Sequence, residues 1–542
     1  MKKILILLLI SSSILAQPSL LLDIEKGSGS SDYTGINFIR VNSKLFFTAT
    51  NASLGSELYI TDGTPGKTKL VKDIYPIVSE GSSPKFLTEF NGQLLFAAQE
   101  NLHGLELWIS DGTEAGTHIV KDINPGPSES MSGSVGKGKQ IISFKNKAYF
   151  FAKDKPGENP ALWETDGTEQ GTIKLVTFNS TFPDPNNLTI FQDNLYFTVK
   201  ENSTEGYELY SFNISTKSIK LVKDITSNDD TKFSEVTSSS KYIYFVGQST
   251  LDGNNIYVSD GTEQGTKAIK KIIKVGFNPA GKFTFTNDKT FFFANDSIFV
   301  TDGSSTGTIN LGLKVHNTNA SNWVSDGDKI YFEGINPATN LGYELYQSDG
   351  TIPGTKIVKD LNTGSDGSDP VYLTLIGKTL YFVANDGVKG PEIYYTDGTS
   401  AGTKLLYDIV PGPSSSSPRY LKYFGSKHLF FYQNDNVVGL EPYSFELNIV
   451  GTVDTKSKFQ SLQVNSFKNH WEVLLPGNLN SASNKTNLEL FDLSGRIIKS
   501  VKISSLNNSR IIMQKPDIKG NYYINLKAGN KIFISKQLSS FD

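Results

Sequence analysis

The sequence predicts an all-β fold, a β-propeller of four-stranded blades, eight or nine in number, followed by a small C-terminal β-sandwich-like module. Two observations predict the propeller. One long phrase recurs along the chain, and each recurrence belongs to a unit of four short extended runs without helical periodicity. Four antiparallel strands repeated every 42 to 55 residues are typical of propeller blades. A third observation, that each end of the repeat region lacks what the other end has, favours a closed ring.

The repeated phrase defines the period. Its best copies read ELYITDGTPGKTKLVKDI, ELWISDGTEAGTHIVKDI, ELYQSDGTIPGTKIVKDL and EIYYTDGTSAGTKLLYDI. Consecutive aspartates of the Asp-Gly pair are 49, 55, 94, 42, 47 and 48 residues apart, and the interval of 94 holds two periods. A degraded copy in that interval keeps Glu208-Leu209-Tyr210 but has Phe212-Asn213-Ile214 in place of the Asp-Gly pair. The aspartates are Asp62, Asp111, Asp166, Asp260, Asp302, Asp349 and Asp397.

Each unit divides into four predicted strands. In the second unit they are Lys85 to Phe90, Gln93 to Ala98, Glu106 to Ser110 and His118 to Ile123, bounded by turn-forming residues. The second run is apolar on both faces in nearly every copy, so we expect it to pack between neighbouring sheets. The third and fourth runs are joined by Asp-Gly-Thr-x-x-Gly-Thr, in which glycine supplies positive φ and the Asp and Thr oxygens accept turn amides, so this segment predicts a hairpin.

The two ends of the repeat region complement each other. Leu20-Leu21-Leu22-Asp23-Ile24 matches the fourth run alone, while the last unit stops after its third run at Glu441 to Phe445. Pairing these segments would complete the last blade and cover exposed strand edges. This count gives nine units. An eight-bladed ring with one displaced unit, or an incompletely closed array, stays open as an alternative. The degenerate fourth unit and the short sixth unit are the ones suspected of not forming a regular blade.

Composition and the N-terminus indicate an exported protein. The net charge of −3 and the pI near 6.1 argue against nucleic acid or an anionic membrane surface as the main partner. The chain has no cysteine, which excludes disulfides, thiol chemistry and lipoprotein anchoring. Residues 1–16 combine Lys2-Lys3, a short apolar stretch and Ala16, the pattern of a signal peptide. We expect a mature chain that begins at Gln17 and has no transmembrane anchor.

The remaining chain divides into three regions. Residues 17–446 hold the repeats, residues 447–465 are rich in Thr, Ser and Lys and are predicted to be a linker, and residues 466–542 form a separate small β module. The informative pieces of that module are LELFDLSGR at 488–496 and GNYYINL at 520–526.

Both parts of the chain resemble known families. The blade phrase resembles the ELWxxDGT repeat of secreted bacterial proteins, over residues of about 20 to 446. The C-terminal pieces resemble the type A sorting domain of the type IX secretion system. They depart from it at the start, where the family carries a Pro-Asn-Pro element and this chain has Phe467-Lys468-Asn469-His470-Trp471. The resemblance implies that residues 466–542 engage the type IX secretion machinery and that the protein is secreted or displayed at the outer-membrane surface, via the periplasm.

Candidate site residues are few. We interpret the repeated aspartates as turn formers rather than calcium ligands, since one Asp per hairpin falls far short of the six to eight oxygens that calcium takes. The loops Asn385-Asp386-Gly387 and Asn434-Asp435-Asn436 are better candidates for metal, with turn formation again favoured. Trp108 and Trp163 occupy a position held by Tyr in other units, which favours packing over a sugar-stacking platform. The histidines occur singly, at His103, His118, His316, His428 and His470.

We therefore assign no catalytic, cofactor-binding or metal-ligating residue from sequence, and no cofactor. The expected function is a non-catalytic binding or adhesion scaffold for an extracellular ligand, glycan or protein. The alternative is a carbohydrate-active enzyme, a glycosidase or lyase, whose two carboxylates come from different blades. An enzyme should place convergent, non-repeated carboxylates at the channel mouth, whereas a scaffold should present repeated or aromatic loop surfaces.

Overall fold

The chain forms two units that divide between Leu447 and Asn448. The computed structural model describes residues 17–31, 37–131, 140–178, 184–200, 206–225, 232–249, 253–272, 280–316, 323–339, 341–423, 428–435 and 437–447, and the strand segments 463–466, 470–474, 486–492, 497–502, 510–514, 521–528 and 531–539. Within these ranges the regular elements are all β-strands, and none of the described residues forms a helix long and apolar enough to cross a membrane.

The first unit is a β-propeller of nine four-stranded antiparallel blades, and in blades 1 to 8 the four strands follow one another in chain order. The strand β1 (Ser19–Leu20) precedes the first blade. Blade 1 comprises β2 (Phe38–Val41), β3 (Lys44–Asn51), β4 (Gly55–Thr61) and β5 (Lys69–Lys72). Blade 2 comprises β6 (Lys85–Phe90), β7 (Gln93–Glu100), β8 (Gly104–Ser110) and β9 (His118–Lys121). Blade 3 comprises β10 (Ile141–Phe144), β11 (Lys147–Ala152), β12 (Ala161–Thr165) and β13 (Ile173–Thr177). Blade 4 comprises β14 (Asn186–Phe191), β15 (Asn194–Lys200), β16 (Tyr207–Asn213) and β17 (Ser218–Lys223).

The remaining blades have the same plan. Blade 5 comprises β18 (Lys232–Ser238), β19 (Ile243–Ser249), β20 (Gly253–Ser259) and β21 (Lys267–Ile272). Blade 6 comprises β22 (Ala280–Phe285), β23 (Thr290–Ala294), β24 (Ser297–Thr301) and β25 (Ile309–Lys314). Blade 7 comprises β26 (Val324–Ser325), β27 (Ile330–Gly334), β28 (Glu344–Ser348) and β29 (Lys356–Lys359). Blade 8 comprises β30 (Val371–Ile376), β31 (Thr379–Asn385), β32 (Pro391–Thr396) and β33 (Lys404–Tyr407). Blade 9 comprises β34 (Arg419–Tyr423), β35 (His428–Asn434) and β36 (Leu440–Glu446), with β1 as its fourth strand.

The N-terminal strand closes the ring. β1 pairs antiparallel with β36, with Ser19 opposite Ser444 and Leu20 opposite Tyr443. Nine blades in a closed ring confirm the predicted closure, so the eight-bladed ring and the open array are wrong.

The suspected fourth and sixth units both form complete blades. In blade 4, Asn213 stands in for the missing Asp. Its side-chain oxygen accepts the amides of Ser215 and Thr216 at 3.1 and 2.8 Å. An Asn can therefore hold the turn that joins the third and fourth strands without the Asp-Gly pair.

The second strand of each blade lies in the core, as its apolar pattern predicts. Phe46 on β3 is buried together with Leu94 and Phe96 on β7, so neighbouring sheets share one apolar layer. Lysine side chains add polar links between neighbouring blades. Lys72 donates to the carbonyl of Thr117 in the next blade at 3.0 Å, and Lys121 repeats this contact with Thr172 at 2.9 Å.

The meander gives the propeller two distinct faces. Contacts between the strands of successive blades run mainly through the first strands, so these are innermost. The turns between strands 1 and 2 and between strands 3 and 4 lie on what we call the hairpin face, and they include the turns of the seven repeated aspartates. The loops between strands 2 and 3 (52–54 in blade 1) and the connections between blades (73–84 from blade 1 to blade 2) lie on the opposite side, the crossover face.

The described strands of the second unit form two antiparallel sheets. One has the order β37 (Gln463–Ser466), β38 (His470–Leu474), β41 (Arg510–Gln514). The other has the order β40 (Ile497–Lys502), β39 (Thr486–Asp492), β42 (Asn521–Ala528), β43 (Lys531–Ser539). Trp471 and Val473 on the first sheet and Leu490 on the second are fully buried, as expected for a β-sandwich-like module.

Candidate functional site

The repeated aspartates hold the turns of the hairpin face. In blade 2, one oxygen of Asp111 accepts the amide of Thr113 at 2.8 Å and the hydroxyl of Thr113 at 2.7 Å. These bonds lower the pKa of Asp111. The following Gly112 has a φ of 90°, and a Cβ there would lie 2.4 Å from the side chain of Ile60 in the preceding blade. The same Asp contacts recur at Asp62, Asp166, Asp260, Asp302, Asp349 and Asp397.

The two Asn/Asp loops of the crossover face are also built as turns. Asp386 accepts the amides of Val388 and Lys389 at 2.9 and 2.8 Å. Asp435 accepts the amides of Val437 and Val438 at 2.8 and 3.0 Å, and its second oxygen accepts the Tyr443 hydroxyl at 2.7 Å. Each carboxylate thus accepts two backbone amides of its own loop. Asn436 lies outside the described residues.

The two tryptophans are packed between blades. Trp108 and Trp163 are 6% and 5% exposed. The Lys72 ammonium lies 5.6 Å from the Trp108 ring centroid, and the indole nitrogen of Trp163 donates to the carbonyl of Ala152 at 3.1 Å. Neither ring presents a face to a sugar, which agrees with the packing interpretation.

A repeated buried glutamate has a role that the sequence did not indicate. Glu106, the Glu of Glu-Leu-Trp, accepts the amides of Ile123 and Asn124 at 3.1 and 3.2 Å and the Ser130 hydroxyl at 2.6 Å. It therefore fastens the connection between blades 2 and 3 to the third strand of blade 2. Burial raises the pKa of Glu106 to about 7, against the lowering effect of these hydrogen bonds. Glutamates with equivalent amide contacts are Glu57, Glu208, Glu344, Glu392 and Glu441.

Among the described residues, one group of three side chains could together hold a metal ion, and the other blades do not repeat it. His316, which follows β25 of blade 6, lies beside Glu333 on β27 and Asp369 in the connection from blade 7 to blade 8. One ligand atom from each of the three side chains lies within 4.8 Å of the other two. The Nδ1 atom of His316 is 2.9 Å from a Glu333 carboxylate oxygen. In the sequence His316 stands alone, because its partners are distant in the chain.

Glu333 is unusual for its position. It is 2% exposed, and it lies opposite Leu345 of the neighbouring strand. The residues that oppose the equivalent position of the third strand in the other blades are uncharged: Thr48, Ala97, Phe151, Thr198, Val246, Phe293, Val383 and Tyr432. A buried carboxylate at a site that otherwise carries apolar or hydroxyl side chains needs specific partners.

Tyr343 completes the surroundings of this cluster. Its ring stacks on the His316 imidazole, with centroids 3.5 Å apart and planes 24° from parallel. Burial, and then the charges of Glu333, Asp296 and Asp369, raises the pKa of the Tyr343 hydroxyl. The ring fixes the orientation of the imidazole, and the surrounding charge is negative.

The crossover face also carries exposed aliphatic side chains at loop tips. Three of them lie in the loops between strands 2 and 3 of blades 9, 8 and 2: Val437 is 72% exposed, and Val388 and Leu102 are each 68% exposed. The fourth, Val78, is 81% exposed and lies in the connection from blade 1 to blade 2. Because blades 8, 9, 1 and 2 are successive in the closed ring, we call this set the apolar arc.

Comparisons with known proteins bear on the fold alone. No family model and no curated protein matches the chain. Among solved structures, PorZ, an essential surface component of the type IX secretion system of Porphyromonas gingivalis, is 10% identical, with 93% of this chain and 74% of that chain covered and a TM-score of 0.30. An oligogalacturonate lyase in complex with manganese is 11% identical over 56% of this chain and 86% of its own, with a TM-score of 0.33. Prolyl oligopeptidase B from Galerina marginata is 10% identical over 71% of this chain, with a TM-score of 0.40, and the match spans 50% of that protein.

Proposed function

We propose that the protein is a secreted or cell-surface propeller that acts as a non-catalytic binding or adhesion scaffold. The observation that carries this proposal is the apolar arc, since four aliphatic side chains stand out from loops on one face of successive blades. Exposed apolar groups gathered on one face mark interaction surfaces more often than isolated ones do. Aliphatic rather than aromatic tips favour a protein partner over a glycan, whose sugar rings stack best on aromatic side chains.

In two loops of the arc, hydrogen bonds to an aspartate fix the backbone amides beside the exposed valine. Asp386 and Asp435 fix the turns that carry Val388 and Val437. At the far end of the second loop, Gly439 lies against the backbone at Gly29, and a Cβ on it would come within 1.6 Å of that carbonyl oxygen. A surface that is ordered before binding loses little conformational entropy when a partner docks.

A binding screen tests the scaffold proposal. The mature chain, residues 17–542, is presented to extracellular proteins and glycans, and the best ligand is then measured against a variant with Val78, Leu102, Val388 and Val437 all changed to Asn. We expect the affinity to fall at least about tenfold. The matched control changes Ile173 and Ile309, exposed at 44% and 46% on outer strands of blades 3 and 6, to Asn and should bind normally. Equal loss in both variants, or in neither, would reject the apolar arc as the binding surface.

The export part of the proposal rests on the two chain ends. The pattern of residues 1–16, and the resemblance of residues 466–542 to a type A sorting domain, support passage through the periplasm and the type IX machinery. Residues 1–16 lie outside the described part of the structure. In a host with that machinery, deletion of 466–542 should trap a folded propeller in the periplasm, and the mature N-terminus should be Gln17. Unchanged surface or medium levels of the truncated chain would contradict this assignment.

A carbohydrate-active enzyme is the second candidate, and one observation favours it. Glu333 and Asp369 form a non-repeated carboxylate pair on the crossover face, and Asp369 stands two positions before the innermost strand β30. Incubation with acidic and neutral polysaccharides, followed by product analysis, tests this candidate. Activity lost in Glu333→Gln but kept in the apolar-arc variant would favour the enzyme over the scaffold.

A further inference from the structure

We propose that His316, Glu333 and Asp369 form a binding site for a divalent first-row transition metal ion. Among redox-inert ions, the site prefers Zn²⁺. The site lies on the crossover face at blade 7. It goes beyond the scaffold function, because it is separate from the apolar arc.

Convergence from three separate segments is the first argument. His316 comes from the connection after blade 6, Glu333 from the second strand of blade 7, and Asp369 from the connection to blade 8. Two ionised carboxylates whose oxygens lie within 4.8 Å repel each other, and a cation bound between them removes that repulsion. A divalent ion neutralises both carboxylates and uses the imidazole nitrogen as a further ligand.

The burial of Glu333 is the second argument. A side chain 2% exposed, at a position with no charged counterpart in the eight other blades, carries a large desolvation cost as a carboxylate. Metal coordination is one of the two ways in which buried charges are stabilised, and it also accounts for Asp369 beside the His316–Glu333 pair.

The donor set selects the class of metal. Ca²⁺ and Mg²⁺ prefer all-oxygen sites, and Ca²⁺ takes six to eight ligands. An imidazole nitrogen with two carboxylates suits Zn²⁺ or Mn²⁺, and for such donors affinity rises from Mn²⁺ towards Zn²⁺. Coordination through Nδ1 leaves the proton on Nε2, and the stacked Tyr343 ring holds the imidazole in place. Three protein ligands leave a fourth position for water or for a group from a bound molecule.

Metal titration of the chelator-treated mature chain tests the site. With ZnCl₂, MnCl₂ and CaCl₂ as probes, we expect one equivalent of Zn²⁺ to bind by calorimetry, more tightly than Mn²⁺, with no measurable binding of Ca²⁺. Bound Zn²⁺ should raise the Tm, because it ties three segments of the native state together. Tighter binding of Ca²⁺ than of Zn²⁺, or no saturable Zn²⁺ binding, would overturn the proposal.

Variants locate the ion. His316→Ala and Glu333→Gln should each weaken Zn²⁺ binding by at least about tenfold. Asp369→Asn changes an exposed side chain, leaves folding intact and should also weaken it. The matched control is His103→Ala, because His103 also contacts acidic groups, Glu100 and Asp122, but through different ring nitrogens. Co²⁺ bound in place of Zn²⁺ should give a ligand-field spectrum that is lost in Asp369→Asn and kept in His103→Ala, and the reverse result would refute the site.

Discussion

Single residues of the repeat each stabilise one connection. The Asp of Asp-Gly-Thr closes the turn of the hairpin face, as at Asp111. The Glu of Glu-Leu-Trp binds the backbone of the next connection, as at Glu106. The repeated phrase is therefore regular because every blade needs the same turns and connections. Residues that depart from the phrase are better candidates for function.

Because each repeated aspartate stabilises one turn, its removal should lower the stability of the fold only slightly. Asp349→Ala should lower the free energy of unfolding by about 1 kcal/mol, because the amide and hydroxyl of Thr351 lose a charged acceptor. Asp349→Asn keeps an acceptor oxygen and should cost less. Urea unfolding followed by tryptophan fluorescence measures both. A chelator-sensitive Tm that Asp349→Ala abolishes would instead identify a calcium ligand.

Removal of a buried repeated glutamate should destabilise the fold more than removal of a repeated aspartate. Glu106→Ala should lower the free energy of unfolding by roughly 3 kcal/mol, because two amides and the Ser130 hydroxyl lose their acceptor. The control is Glu114→Ala, which removes an exposed carboxylate from the turn of the same blade. Equal melting temperatures for the two variants would show that the contact with the connection contributes nothing.

At the scale of elements, the strands were predictable because their signals are local. In blade 2 the predicted runs at 85–90 and 118–123 correspond to β6 (Lys85–Phe90) and β9 (His118–Lys121), and alternation and turn residues within a few positions determine both. The turn role of Asp was equally local, since Asp111 binds Thr113.

The contacts that the sequence did not predict join distant positions. Glu106 binds Ser130 and two amides 17 and 18 residues away, so only a repeated downstream serine hints at them. The cluster of His316 requires the register of blade 7, because Glu333 is 17 residues away and Asp369 belongs to the next connection. Three single residues in a sequence become neighbours only after the ring places consecutive connections on one face.

Because β1 closes the ring, a truncation that removes β1 should destabilise the whole propeller. A chain that begins at Glu25 loses β1 and also Leu21 and Ile24, which are buried in the core between blades 9 and 1. We expect a lower Tm, the loss of a single calorimetric transition and aggregation through the uncovered edge of β36.

A chain that begins at Gln17 is the control for this truncation. A synthetic peptide of residues 17–31 should bind the truncated chain and raise its Tm. If the truncated chain and the control have the same Tm and the same single transition, ring closure contributes no stability.

At the scale of the whole molecule, the buried glutamates predict stability that falls as the pH rises. Burial raises the pKa values of Glu106, Glu392 and Glu441 from 4.5 to about 7, so the folded state holds these protons more tightly than the unfolded state does. Their contribution is complete below about pH 4.5 and is lost as the pH rises through about 7. Calorimetry between about pH 5.5 and 8.5 at constant ionic strength should therefore show a falling Tm.

Two substitutions isolate this effect. Glu392→Gln cannot ionise, so it should flatten the dependence of Tm on pH, while Glu114→Gln, at an exposed position, should leave it unchanged. Asp111 and Asp349 of the hairpin face act in the opposite sense, because their lowered pKa values give stability that is lost only in acid. A Tm that rises from about pH 5.5 to 8.5 would contradict the assignment of neutral buried glutamates.

The pairing of β1 with β36 also sets the order of events during synthesis. Ile24 and Glu441, which meet beside that pairing, are 417 residues apart in the chain. Blades 1 to 8 can each assemble from contacts between nearby residues as they emerge, but the first strand to be made is the last to find its partner. Closure must await nearly the full length of the propeller, and a contact of such long sequence separation is slow to form. Until then the nascent chain is an open arc with one blade unfinished and with the edge of β36 uncovered.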